Sequence, residues 1–210
     1  MKKFIPVVII GFIITMAVSA YFGRVESALS DNVLRLHVIA NSDSDADQNL
    51  KLTVRDKILS EAGEIFENQN DISAAKESIK ANICEIEKIA AKTIKENGFD
   101  YPVKVTFGKS EFPTKAYGKV TLPAGTYEAL KVEIGEAKGK NWWCVMFPPL
   151  CFVDASSPEM SKEAMAVLKE NLSDDEYALI TDSDSGSVEI KFKAYEIWQS
   201  GKNKVKTLMK

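Results

Sequence analysis

A single histidine, His37, bounds the chemistry open to this 210-residue chain. A multi-histidine metal site is excluded, and any Ser-His-Asp or Cys-His arrangement has to use that one ring. His37 lies in Val33-Leu-Arg-Leu-His-Val-Ile-Ala40, with Ser42 and Asp43 just beyond it. With Asp43 or Ser42 beside it, His37 would make a hydrolase, and cell-wall material would be its substrate class. No Gly-x-Ser-x-Gly elbow accompanies them, and the chain has no H-E-x-x-H, no Walker glycine loop and no dinucleotide fingerprint. A lone histidine on a strand is more often packed than catalytic, so no catalytic residue is assigned and the chain is read as a non-enzyme.

Asp43-x-Asp45-x-Asp47 has the spacing of the first three calcium-loop ligands, but Gln48 stands where that loop needs glycine and Val54 where it needs glutamate. The same acids suit the start of a helix, where carboxylates accept from free backbone amides and oppose the dipole. Asp182-Ser-Asp184-Ser-Gly186 has its glycine too early and is expected to be a turn. No metal and no cofactor is expected. Gly135-Glu-Ala-Lys-Gly139-Lys140 has the composition of an anion cradle, and equally of a polar hairpin turn.

The most unusual stretch is Asn141-Trp-Trp-Cys-Val-Met-Phe-Pro-Pro-Leu-Cys-Phe-Val-Asp154. Trp142 to Val153 carries no charge, so it must be buried, membrane-inserted or held against a partner. It is too short to span a bilayer, and Pro148-Pro149 would break a helix. Two extended arms about a Pro-Pro corner are expected. Cys144 and Cys151 stand symmetrically about that corner and could staple the arms as a disulfide; two reduced core thiols are the other outcome. Trp142 and Trp143 could stack on sugars or anchor a partner. Neighbours on a strand point to opposite faces, so one of the pair must meet a second core layer or a partner.

The elements that position these residues follow from periodicity. Leu34, Leu36 and Val38 alternate with Val33, Arg35 and His37, which predicts a half-buried strand. Ser44 and Asp47 resemble a capping box before a helix over 46–66, with Leu50, Val54, Ile58 and Ile65 on its core stripe and Arg55 and Asp56 on its surface. A second helix is predicted over 72–97 from Ile72, Ala75, Ile79, Ile83, Ile86, Ala90 and Ile94, with Gly98 as its stop. Cys84 is expected to be buried on it. Period two then returns: Val103, Val105 and Phe107 face one way, and strands follow at 117–122 and 126–134. Helices are expected from Ser157-Pro158 to about Asn171 and after Ser173, then a strand at 188–192 and a C-terminal helix over 194–209. The class is α+β: a strand, two long helices, an antiparallel meander and helices at the end.

Ahead of this, Lys2 and Lys3 precede an uncharged run from Phe4 to Gly23, with Val18-Ser-Ala20 offering small residues for a signal peptidase. Residues 1–24 are therefore a cleaved signal peptide or an uncleaved N-terminal anchor, and 30–210 one extracytoplasmic domain. The export machinery, and in the second case the membrane, would be met through residues 4–23. Loss of the first twenty residues takes the net charge from −3 to −5, a poor balance for binding nucleic acid. Three cysteines are too few for a disulfide scaffold, so the core must come from apolar burial.

Val33-Leu-Arg-Leu-His-Val-Ile-Ala-Asn-Ser-Asp-Ser44, Leu50-Lys-Leu52, Val54-Arg-Asp56, Pro123-Ala-Gly-x-Tyr-Glu-Ala-Leu130 and Asn141-Trp-Trp-Cys-Val-x-Phe-Pro-Pro-Leu-Cys-Phe-Val153 closely resemble the stage II sporulation protein R family of endospore-forming Firmicutes. The resemblance runs from about residue 30 to Lys191-Phe-Lys193. It implies a secreted signalling protein, made in the forespore and exported into the space between forespore and mother cell. There it would trigger a membrane-embedded aspartic protease, stage II sporulation protein GA, which cleaves the precursor of sigma E. The family offers no catalytic residues to carry over, and Ala137 stands where its usual run has a third glycine. A contact surface is expected at Trp142, Trp143, Phe147, Pro148, Pro149 and Leu150, and secondly at Arg35, His37, Asn41, Ser42 and Asp43.

Overall fold

A computed structural model describes residues 4–66, 71–147 and 162–181. The chain is α+β, as its periodicities predict. The order is α1 (Phe4–Asn32), β1 (Leu34–Ile39), α2 (Asp45–Phe66), α3 (Ile72–Glu96), β2 (Val103–Phe112), β3 (Lys115–Tyr117), β4 (Val120–Leu122), β5 (Gly125–Ile134), β6 (Asn141–Phe147), α4 (Lys162–Asn171) and α5 (Asp174–Thr181).

The main sheet runs β2-β5-β1-β6. β5 is antiparallel to β2 but parallel to β1, and β6 returns antiparallel to β1. The sheet is thus mixed, with the first strand inserted between the last two, whereas periodicity alone suggested a consecutive meander. The helices α2 and α3 between β1 and β2 supply the length that this crossover requires. The expected 117–122 strand is a tight hairpin, β3 to β4, in its own two-stranded sheet, turning at Gly118 with φ +60°.

Each face of the sheet is covered. On one face α2 and α3 pack Leu50, Val54, Ile58, Ile79, Ile86 and Ile94 onto Leu34, Leu36, Val38, Leu130 and Val132. On the other, Leu29 and Val33 at the end of α1 join Leu122, Tyr127, Ala129 and Val145, with Leu168 of α4 and Ile180 of α5. β1 is consequently buried along its whole length and is not the half-buried strand that its alternation suggested. The alternation holds in parity, but the second face meets another core and not water.

Local signals set the boundaries. Ser44 Oγ accepts from Asp47 N, opening α2. Asp71 accepts from Ala74 N at 2.8 Å and caps α3, and Gly98 at φ +82° ends it. Cys84 is exposed, contrary to expectation. It falls a third of a turn off the stripe of Ile79, Ile83 and Ile86, which the helical period carries past it. Leu29, within α1, is fully buried in that second core. Further along α1, Ile9, Ile10, Phe12, Ile13 and Met16 are each more than half exposed. Among the described residues no helix is long and apolar enough to cross a membrane. The Pro-Pro corner, the second arm with Cys151, and the elements expected at 188–192 and 194–209 lie outside the described residues.

Candidate functional site

β1 and β6 form the ribbon that carries most of the singled-out residues. Their register sets Val38 opposite Trp142, His37 opposite Trp143, Leu36 opposite Cys144 and Arg35 opposite Val145. Directly opposed residues share a face, so the two tryptophans part company, as neighbours on a strand must.

Trp142 turns toward α2. Arg55 lies over its ring with Cζ 4.1 Å from the centroid, and the guanidinium also pairs with Asp56 at 2.6 Å. Arg55 is therefore buried against the sheet edge and not the surface charge expected of it, while Asp56 is exposed. Lys51, one turn earlier, is buried as well. Its ammonium donates to Gln48 Oε1 at 2.6 Å and to the Lys140 carbonyl at 3.2 Å. Burial, and then the neighbouring Arg55 charge, hold the Lys51 pKa below its usual value. Phe147 packs half-buried on this same side.

Trp143 turns the other way. His37 stacks on it with ring centroids 5.8 Å apart and planes 20° from parallel, and Lys115 Nζ stands 4.9 Å from the indole centroid. His37 Nε2 meets Asn141 Oδ1 at 2.8 Å, an arrangement in which the ring nitrogen donates. Burial lowers the His37 pKa, opposed by the Asn141 bond; Lys131 and Arg35 lower it further and Glu133 raises it. Beyond His37 on this face, Arg35 is fully buried. Its Nη2 donates to Tyr117 Oη at 2.8 Å, and its Cζ lies 4.0 Å from the Phe112 centroid and 4.8 Å from that of Tyr127.

Asn41, Ser42 and Asp43 have a different environment. Asn41 Nδ2 and Ser42 Oγ both donate to Asp47 Oδ2, the first at 2.8 Å. These bonds, led by that of Ser42, hold the buried Asp47 carboxyl below its ordinary pKa. Asp43 Oδ1 accepts from Lys140 N at 2.7 Å and Asn41 Oδ1 from Glu136 N at 2.9 Å. The turn itself is pressed onto the loop: Gly139 N donates to Ala40 O at 2.9 Å, and a Cβ on Gly135 or Gly139 would collide with Asn41 or Ser42. The polar loop and the glycine turn are one welded structure, and Asp45 simply opens α2. Neither Ser42 nor Asp43 hydrogen-bonds to His37, whose partner is Asn141.

The ribbon, the welded loop and the tryptophan pair lie within residues 30–157, the stretch matched by the family model described as Stage II sporulation protein R. The chain belongs to that family. Stage II sporulation protein R of Bacillus subtilis (strain 168) is 43% identical over 135 residues, which cover 64% of this chain and 60% of that relative. The chain thus matches about 60% of the length of its curated relative. No solved structure matches it. A role in sporulation follows from membership of the stage II sporulation protein R family. Within the matched stretch, Asn141–Phe147 supplies β6, the outermost strand on that side among the described residues, and Leu34–Ile39 supplies the buried strand beside it. Pro148, Pro149, Leu150 and Cys151 lie outside the described residues.

Arg55, Lys51, Phe112, Tyr117, Tyr127 and Asn141 were not singled out from the sequence as members of this site. Arg55 and Lys51 had a signal, standing within the family's Leu-Lys-Leu and Val-Arg-Asp runs. Tyr127 had the same kind of signal in the Pro123–Leu130 run, while Phe112 and Tyr117 had none beyond their strand positions.

Proposed function

We propose that this chain is an extracytoplasmic signalling ligand that activates a membrane-embedded aspartic protease, stage II sporulation protein GA, and thereby the processing of the sigma E precursor. It would act in the space between forespore and mother cell, delivered there by residues 4–23. Activation is a population shift: the ligand must bind the active receptor form better than the inactive one.

The observation that supports a contact role is the position of β6. Among the described residues the tryptophan stretch forms the outermost strand on its side of the sheet, where a strand's outer backbone groups and large side chains can meet another chain. At the opposite edge, Glu87 accepts from Val105 N of β2 at 2.9 Å, so a side chain already occupies that margin. The contact would lie on Trp142, Trp143, Phe147, Pro148, Pro149 and Leu150, with Asn41, Ser42 and Asp43 beside them at the start of the ribbon. Arg35 and His37 are buried and would support that surface from behind. A Cys144–Cys151 bond would close the tip.

Co-production of this chain, the protease and the sigma precursor in a non-sporulating host tests the proposal by precursor size. Cleavage that requires this chain and survives His37→Ala is the expected result. Cleavage lost in His37→Ala with the protein still folded, together with turnover of peptidoglycan by the wild type, would replace the ligand by a hydrolase. Alanine at Trp142 or Asp43 should reduce processing while the protein remains folded and exported.

A further inference from the structure

β2 is the outermost strand on its side of the sheet among the described residues, and half of its outer margin is open. Pro102 O accepts from Gly135 N, and Val105 N donates to Glu87 Oε2. Even positions of β2 therefore bond to β5, and odd positions turn their backbone groups outward. Glu87 occupies the margin at Val105. Beyond it, the amides and carbonyls of Phe107, Lys109 and Glu111 have no described strand beside them. Pro113, which has no N–H, ends the run.

An open edge of this kind recruits another strand. A lysine on the edge ordinarily deters pairing, but Lys109 is followed two places on by Glu111. Both are exposed, and both point to the face of the sheet that Val105 and Phe107 share with α3. Neither belongs to an ion pair among the described residues. We infer that β2 pairs antiparallel with β2 of a second copy of this chain, joining two sheets edge to edge about a two-fold axis at Ser110. The two-fold requires the antiparallel sense, because each copy offers the same strand. In this register Lys109 stands opposite the partner's Glu111, and Glu111 opposite the partner's Lys109. Sliding the strands by two places sets Lys109 against its own copy, or Glu111 against its own, and like charges directly opposed repel. Sliding by one puts the side chains on the wrong faces. The paired stretch runs from Phe107 to Pro113 and stops short of Val105, so Glu87 keeps its bond. This surface lies at the margin away from β6, and the inference does not depend on the protease.

Ser110 sits on the axis at a non-hydrogen-bonded pair, where opposed Cα atoms stand about 4.5 Å apart, within reach of a disulfide. The test uses the full-length chain carrying Cys84→Ser, in detergent because α1 exposes Ile9, Phe12 and Met16. Ser110→Cys in this background should give a covalent dimer on mild oxidation. Thr106→Cys, also half-buried and on the same face but far from the axis, should not. Adding Lys109→Glu or Glu111→Lys to Ser110→Cys should each cut the dimer to the Thr106→Cys level. Mixing those two chains should restore it, because each then meets opposite charge at both places. No dimer from Ser110→Cys, or a dimer indifferent to the charge reversals, overturns the inference. On the wild type, the Lys109 and Glu111 amides should exchange with deuterium more slowly as protein concentration rises. Exchange independent of concentration overturns the inference as well, so the test stands even if the cysteine variant does not fold.

Discussion

His37 and Trp143 face each other across the β1–β6 ribbon with ring planes 20° apart, and the imidazole closes that contact by meeting Asn141 Oδ1 at 2.8 Å. The one histidine of the chain is therefore a packing residue that locks the tryptophan strand to the centre of the sheet. Its other neighbours are Phe112 at 5.7 Å between centroids and the charged Arg35, Lys131 and Glu133. Protonation would add charge to a buried aromatic stack that already holds a guanidinium.

A pH dependence of stability follows. The folded protein holds His37 below its ordinary value of 6.5, so the unfolded chain takes up the proton first. The contribution is complete above 6.5 and is lost as the pH falls below it toward the folded pKa. The slope cannot exceed one proton's worth, about 1.4 kcal/mol per pH unit. Urea unfolding between pH 7.5 and 5 should show the decline, and His37→Gln, which can still donate to Asn141, should flatten it. An unchanged slope in the variant would assign the effect elsewhere.

Asp47 gives a second pH response in a more acidic window. Its carboxylate receives Ser42 and Asn41 and ties the polar loop to α2. Its pKa is lowered from 3.8, so the stabilisation is full above that value and disappears as the pH falls through the folded value. Asp47→Ala should cost about 1.5–3 kcal/mol at neutral pH, the range for hydrogen bonds to a charged group. The gap to the wild type should close in acid, which unfolding curves at pH 7 and pH 3 would measure.

The turn that this loop grips carries strain. Ala137 is the one described non-glycine residue at positive φ, +50°, a left-handed conformation that an L side chain resists. A glycine at this position would adopt that conformation without cost. Ala137→Gly relieves about 1–2 kcal/mol of left-handed strain and returns about 0.4–1 kcal/mol to the freer unfolded chain, so it should stabilise the protein slightly. Gly135→Ala should do the opposite, and strongly, because its Cβ would strike Asn41. Equal melting temperatures for Ala137→Gly and the wild type would mean that the turn relaxes without cost.

How far the sequence reveals this arrangement differs from residue to residue. The α3 stripe, its Gly98 stop and the parting of Trp142 from Trp143 are local consequences of period, and each is found as the spacing predicts. The double burial of β1 is not local. It arises because the end of α1, the β3–β4 hairpin and α4–α5 return to the second face, and no pattern within Leu34–Ile39 encodes that. Arg55 misleads for the same reason, since a charge on a helix looks solvated until a tryptophan far along the chain lies over it. The strand order was equally hidden: β1 reads the same whether it sits at an edge or between β5 and β6.

The apolar N-terminal run and the folded core share one helix, which makes the start of the core testable. α1 runs unbroken from Phe4 to Asn32, and its last turns bury Leu29 while Val33, just beyond, is buried too. A signal-peptidase cut after Ala20 would leave residues 21–32 attached to the domain, so processing need not disturb the core. Leu29→Ala should cost about 2–5 kcal/mol, as for other fully buried leucines. A chain starting at residue 21 should unfold at nearly the same urea concentration as one carrying the whole segment. A chain starting at Leu34 should be markedly weaker, because Tyr127 and Ala129 would lose their cover at that end of the sheet. Equal stability of the two shortened chains would show that the end of α1 rests on the sheet without holding it.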